Sequence, residues 1–302
     1  MTTQDVPRTT HDPTDQTAME RSHHTRVDPV LGTVVHVVGT RQKRPNLPST
    51  GCPFCVGGLE APDPYDVRSF PNRWPAMEGD RCEVVLYTPE HDATFFSIGV
   101  PGARKVIDLW AERTEMLGKR DDVDYVLVFE NRGPEVGATI AHPHGQIYAY
   151  DHVPARQARR LAAGWRPDCD GVERIVADHD AWFAAVPYAP TFPLAVEVAS
   201  RRRLADLPSM TDDERDGLAA ILVDVLGRFD RLYDQPIPYM MWLNQRPTVT
   251  GGYEDAWFNI EIVSPWRSAG VQRFIAAAEV ACEEYFNPVI PEDVAARLRE
   301  LG

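Results

Sequence analysis

Two short segments of this chain carry residue types and spacings that could do chemistry. The first is Asn131 to Gln146, NRGPEVGATIAHPHGQ, in which His142 and His144 stand one residue apart. Along an extended chain that spacing puts both imidazoles on one face. Pro143 between them fixes its own φ and biases His142 away from helix. Two histidines presented in this way suit a nucleophile or a metal site. Upstream, Gly133 and Gly137 would let backbone N–H groups come close to an anion such as phosphate. The second segment is Cys52-Pro-Phe-Cys55 followed by Gly57 and Gly58, a knuckle-like turn whose spacing suits two thiolates on one Zn²⁺. Tetrahedral zinc needs two more ligands, and the candidates are His91 and one of the pair His142 and His144. A redox role for this CxxC is disfavoured, because nothing places it between a strand and the start of a helix.

Composition bounds the frame around these segments. The chain has 302 residues, 43% hydrophobic and 25% charged, which is ordinary globular composition and ample for a core. Lys plus Arg total 31 against 45 Asp plus Glu, and the net charge of −14 argues against a protein that binds nucleic acid by neutralising phosphates. No apolar stretch approaches the ~20 residues a membrane span requires, and the first residues lack the apolar core of a secretory signal. A soluble, cytoplasmic protein is expected. Five cysteines make an odd count in a long chain, unlike a disulfide framework. Cys82, Cys169 and Cys282 read as buried or partly buried thiols without catalytic duty.

The elements that must position the chemistry follow from patterning. Residues 1–25 are polar, lack a hydrophobic period and read as a disordered tail. Val27 to Val38 reads as two short strands around a Gly turn, and 39–80 as a long proline-rich irregular region. Strands are predicted at Glu83 to Tyr87, Tyr125 to Phe129 and Gln146 to Tyr150, with a helix over Ala103 to Leu117. The second half loosely repeats this plan. Trp182 to Val198 reads as sheet, Thr211 and Glu214 form a capping-box pattern ahead of an amphipathic helix, Tyr239 to Leu243 and Trp257 to Val263 read as strands, and Val271 to Tyr285 as a helix. The fold class expected is α+β, an antiparallel sheet with helices packed on it and two similar halves, 26–165 and 166–302.

Taken together, GCPFC at 51–55, FEN followed by GATIAHPHGQIYA over 129–149, and YFNPVIPED at 285–293 resemble the galactose-1-phosphate uridylyltransferase family, a branch of the histidine-triad superfamily. The resemblance runs from about Val27 to the C-terminus and implies that the two halves are histidine-triad-like. It implies a UDP-glucose:hexose-1-phosphate uridylyltransferase, with galactose 1-phosphate as acceptor and ping-pong kinetics through a uridylyl-His144 intermediate. His142 would join Cys52, Cys55 and His91 around one structural Zn²⁺. Gln146 stands where hydrolytic relatives carry a third histidine. An amide cannot act as general acid or base, and an acceptor that is already a phosphate dianion needs none. The resemblance further implies a substrate site from Arg41, Arg44, Phe70, Asn72, Asn131, Gly137, Thr139 and Gln146, with Arg273 and Glu279 at the sugar end.

Departures from the family's pattern also carry expectations. Asn244 and Asn259 stand where members often have histidines, and the region after the HPH strand is basic, with Arg156, Arg159 and Arg160. A second metal site is therefore expected to be absent. The same departures motivate an alternative function, a nucleotide-sugar phosphorylase or a nucleotidylyltransferase acting on another sugar 1-phosphate. The expected partners are a UDP-sugar, a sugar 1-phosphate and a second copy in a homodimer, with no nucleic acid and no membrane.

Overall fold

β-Branched and aromatic residues gather in short runs that pair as strands, and nine of these runs join in one antiparallel sheet. The computed structural model describes residues 23–43, 51–168 and 171–302, so Arg44, Cys169 and the first 22 residues of the expected tail lie outside the described residues. The last residues of that tail, His23 to Thr25, instead belong to a strand. β1 (His23–Val27) and β2 (Val34–Val38) form a hairpin. Asp28 Oδ1 pins its turn by accepting from the N–H groups of Val30 at 2.8 Å and Leu31 at 2.7 Å. The polarity of β1 hid it from hydrophobic patterning, since backbone pairing holds it.

The main sheet is built twice over from the same plan. In the first half, β3 (Arg68–Pro71) and β4 (Cys82–Leu86) precede helix α1 (Gly99–Gly118), followed by β5 (Tyr125–Arg132) and β6 (His144–Tyr150). After α2 (Ala155–Ala162), the second half runs β7 (Ile175–His179), β8 (Trp182–Ala185), β9 (Leu194–Ser200), α3 (Asp212–Leu232), β10 (Tyr239–Asn244) and β11 (Asn259–Ser264). The strand order is β3-β4-β6-β5-β10-β11-β9-β8-β7. The unit strand, helix, strand, strand thus gives the order β4-β6-β5 in one half and β9-β11-β10 in the other. The two units meet back to back where β5 pairs with β10.

One face of the sheet is closed by α1 and α3. Val106, Ile107 and Trp110 of α1 and Leu218, Ile221, Leu222, Val225, Leu226 and Phe229 of α3 are all fully buried against it. Helix α3 begins with the capping box, as Thr211 Oγ1 accepts from Glu214 N–H and the Glu214 carboxylate accepts from Thr211 N–H. The other face carries a row of cross-strand partners, Phe70, Val84, Gln146, Phe129, Trp242, Glu261 and Glu197. Directly opposite residues share a face, so Gln146 and Glu261 look out from the same side. Among the described residues no helix is long and apolar enough to cross a membrane.

The C-terminal end departs from the sequence reading. The helix expected over Val271 to Tyr285 is replaced by β12 (Trp266–Ser268), β13 (Val271–Gln272) and a short helix α4 (Ala277–Cys282), before α5 (Pro291–Arg299). Phe274, Ile275, Val280, Tyr285 and Phe286 are exposed, so the apolar residues that suggested a helix have no core to face. A buried ion pair between Arg273 and Glu279 organises this arm instead. Arg273 Nε donates to Phe286 O at 3.2 Å, and Glu279 accepts from the N–H groups of Ala276 at 2.7 Å and Phe286 at 3.0 Å. Cys282 is exposed in α4, whereas Cys82 is buried as expected.

Candidate active site

The CPFC turn is closed by its own backbone. Gly58 N–H donates to Cys55 O at 2.8 Å and Glu60 N–H to Pro53 O at 3.0 Å. A Cβ on Gly58 would lie 2.6 Å from the carbonyl oxygens of Cys52 and Pro53, so only glycine lets the knuckle fold back this tightly. The turn faces the loop after β4, which brings His91, and the turn before β6, which brings His142. The ligand atoms of Cys52, Cys55, His91 and His142 all lie within 4.8 Å of one another. Cys55 Sγ is 3.5 Å from His91 Nδ1 and 3.7 Å from His142 Nδ1.

Proton positions follow from what each partner can accept. His142 Nε2 lies 2.8 Å from the Thr88 carbonyl oxygen, which can only accept, so Nε2 carries the proton and Nδ1 presents its lone pair to the thiols. Burial pushes His142 below its ordinary value, keeping the ring neutral as a metal ligand must be. Burial and the adjacent Cys52 push the Cys55 thiol up, so a cation is what would draw thiolates from this pair. Two sulfur and two nitrogen donors at this spacing fit a tetrahedral ion.

The same accounting fixes His144. Its Nδ1 is 2.8 Å from His142 O, so Nδ1 is the donor and Nε2 is the basic, nucleophilic nitrogen of the neutral ring. Phe54, inside the CPFC turn, packs edge-on against both rings, with centroids 5.0 Å from His144 and 6.2 Å from His142. The metal-ligand cluster and His144 are thus in mechanical contact, a link the sequence reading did not find. Its signal was the aromatic residue between the two cysteines.

His144 opens onto a cleft of about 810 Å³ shared with Phe70, Asn72, Thr139 and Gln146. Trp74 N–H donates to Asn72 Oδ1 at 2.9 Å, which makes Asn72 Nδ2 the donor to Gln146 Oε1 at 3.3 Å. Gln146 is therefore oriented with its NH₂ as the donor toward the cleft. Arg73 also lines the cleft, paired with Glu60 at 3.4 Å.

Other candidates are placed elsewhere. Asn131 lines a small hollow of about 40 Å³ behind His142 and His144. Gly137 ends a 3-10 turn with φ 85°, and Arg41 sits in the 3-10 turn Gly39–Lys43. None of these three lines the cleft, and Arg273 and Glu279 are engaged with each other in the C-terminal arm. On the second half of the outward face, Arg156 makes a bidentate pair with Glu261 at 2.8 and 2.9 Å, and Arg160 reaches Asn259 at 3.2 Å and Glu261 at 3.3 Å. Guanidinium groups cannot ligate a cation. The Glu261 carboxylate is taken up by these two arginines.

Two supports beneath the site give testable effects. A Cβ on Gly145, between His144 and Gln146, would run into the Tyr87 hydroxyl and the Phe129 carbonyl. Gly145→Ala is expected to cost about 1–3 kcal/mol by overpacking and to lower kcat. An unshifted denaturation midpoint together with unchanged turnover would refute this. Glu130, on the helix side of β5, is 3% exposed and accepts from Tyr239 Oη at 2.8 Å. Arg132 beside it is already paired with Asp230 at 2.9 Å. Burial pushes the Glu130 carboxyl up from 4.5 to about 7. A raised folded-state pKa means stability is lost as pH rises through that window. Relative to Glu130→Gln, the wild-type chain should lose up to about 3 kcal/mol between pH 4.5 and about 7 and then level off. Urea midpoints of both proteins at pH 5 and pH 8 check this, and parallel shifts would count against it.

Comparison with known proteins agrees with this geometry. Residues 72–154 match the galactose-1-phosphate uridyl transferase N-terminal domain, and residues 140–302 match its C-terminal domain. The chain belongs to the galactose-1-phosphate uridylyltransferase family. It is 34% identical to the galactose-1-phosphate uridylyltransferase of Thermotoga maritima, over 91% of this chain and 97% of that protein. It is also 34% identical to that of Streptomyces lividans, over 97% of this chain and 92% of the relative. A solved uridylyltransferase superposes with a TM-score of 0.80 at 27% identity, covering 92% of this chain and 97% of the other. An ADP-glucose phosphorylase from Arabidopsis thaliana shares the family's fold, with a TM-score of 0.75 at 22% identity over 93% of this chain and 99% of its own.

Proposed function

We propose that this chain is a UDP-glucose:hexose-1-phosphate uridylyltransferase with galactose 1-phosphate as its acceptor. The single observation that carries the reading is the 2.8 Å contact of His144 Nδ1 with the His142 carbonyl, which leaves Nε2 basic on a ring that lines the same cleft as Gln146. In the first step His144 Nε2 attacks the α-phosphorus of UDP-glucose. The P–N bond forms as the P–O bond to glucose 1-phosphate breaks. In the second step a phosphate oxygen of galactose 1-phosphate attacks the same phosphorus, forming UDP-galactose and returning the electron pair to Nε2. Neither leaving phosphate nor attacking phosphate needs a general acid or base, which suits a glutamine at 146. The Gln146 NH₂ and Asn72 serve as neutral donors to phosphoryl oxygens, and Phe70 and Thr139 line the nucleotide's place in the cleft. The family resemblance assigns Arg41, Arg44, Asn131 and Gly137 to the nucleotide and Arg273 and Glu279 to the sugar, and the described ones among them lie outside the cleft around His144.

Cys52, Cys55, His91 and His142 would hold one structural Zn²⁺, which stiffens the turn carrying His144 without touching substrate. The two halves are 26–165 and 166–302. The working unit is a cytoplasmic homodimer, a reading supported by the exposed apolar residues of the 271–290 arm. Incubation with labelled UDP-glucose, quenching in base and mass analysis tests the reading, since a phosphoramidate at His144 is stable to alkali and labile to acid. No adduct would end it. The arginine lattice around Glu261 favours a second reading, transfer to inorganic phosphate or another sugar 1-phosphate. Galactose 1-phosphate performing no better than phosphate as acceptor would select that alternative.

A further inference from the structure

Three segments supply the metal ligands, and one hydroxyl touches all three. Tyr65 follows the CPFC turn in the stretch APDPYDV, where Pro62 and Pro64 restrict the loop. Its ring packs with the small cluster of Phe54, Ala61, Val84 and Leu86. Its Oη lies 2.7 Å from Phe54 O in the turn, 2.9 Å from Thr88 O in the loop that leads to His91, and 3.0 Å from His142 Nε2. The two carbonyls can only accept. His142 Nε2 already owns a proton, directed at Thr88 O. The single phenolic proton therefore goes to the nearer carbonyl, that of Phe54, and the phenolic oxygen accepts a share of the Nε2–H.

We propose that Tyr65 is a positioning residue, fixing the tilt of His142 against the cysteine turn and, through the His142 carbonyl, the ring of His144. The effect on His144 rests on the transferase reading above; the effect on the metal cluster does not. Partners of this kind orient a ligand ring and raise its basicity, and their loss weakens metal binding. Tyr65 also ties the CPFC turn to the HPH turn at a point Phe54 does not reach, because Phe54 packs on ring faces whereas Tyr65 holds polar atoms. Its role is therefore one of direction as well as packing.

The test is Tyr65→Phe in the full chain. Zinc affinity is read by competition with a chromophoric chelator, kcat and KM for UDP-glucose at saturating zinc, and the His142 tautomer by ¹⁵N NMR of its ring. The variant is expected to bind zinc ~10–100-fold more weakly and to lose about tenfold in kcat with KM within about twofold. The His142 ring is expected to keep the Nε2–H form that the Thr88 carbonyl fixes, so the loss of affinity reports tilt and not a change of tautomer. Unchanged zinc affinity overturns the proposal whatever turnover does. Should Tyr65→Phe not fold, the wild-type chain carries the test: a slowly exchanging Tyr65 hydroxyl proton with a through-space contact to the His142 ring supports the proposal, and its absence overturns it. Failure of the wild type to form a uridylyl adduct would sink the transferase reading instead, while the zinc measurement would still decide the role of Tyr65.

Discussion

Replacing His144 by glycine is expected to lower turnover of UDP-glucose with galactose 1-phosphate by ~10⁴-fold or more and to abolish the alkali-stable adduct. The size of the effect follows from the arrangement of the cleft. Among the described residues His144 is the one histidine that lines the cleft, and the His142 carbonyl on Nδ1 leaves its Nε2 basic. Asn72 and Gln146 remain in place in the variant, each fixed by a hydrogen bond that does not involve His144. Binding should therefore persist, with Kd for UDP-glucose changed by no more than about threefold, a loss in the chemical step and not in recognition. Measured turnover within tenfold of wild type would mean that transfer runs directly between the two substrates and that the histidine is not the carrier.

Removing the metal is expected to have the second largest effect. One zinc per chain should be found, and a strong chelator or Cys55→Ala should lower the thermal midpoint by about 10 °C or more, given that structural zinc contributes several kcal/mol of folding free energy and ~2 °C accompany each kcal/mol in a chain of this size. Activity should fall in step with metal content, over the time course of metal release. The physical reason is Phe54, whose ring touches both His142 and His144, so a loosened CPFC turn carries away the wall against which the nucleophile is held. Apoprotein that keeps both its midpoint and its turnover would show that hydrogen bonds alone hold the cluster.

Much of this site was legible in the sequence because its chemistry depends on local spacing. Phe54 packs against both His142 and His144, and the CPFC spacing does fold both thiols toward one point. His91, a candidate from the ligand count, joins the cluster. What escaped the reading was contact made by the body of a side chain across distant segments. Phe54 and Tyr65 act through ring faces and one hydroxyl, and no periodicity marks such roles. The fold shows the same division. Helix α3, with its capping box and regular apolar stripe, was plain. The first strand of the β1–β2 hairpin was placed too late in the chain and the arm after β12 was misread, because main-chain pairing organises the first and a buried Arg273–Glu279 pair the second. Helix α5 was missed although Pro291 opens it and Glu292 and Asp293 occupy its first turn, the usual signature of a helix start.

The seam between β5 and β10 has a consequence for biosynthesis. β5 ends at Arg132 and β10 begins only at Tyr239, so at ~5–20 residues per second the nascent chain spends roughly 5 to 20 s with the donors and acceptors along one side of β5 bare. For that interval the first unit is complete on one flank and open on the other, an invitation to pair with a neighbouring polypeptide on the same polysome. Translation speed and early shielding by chaperones thus bear on the yield of this protein more heavily than its final stability would suggest.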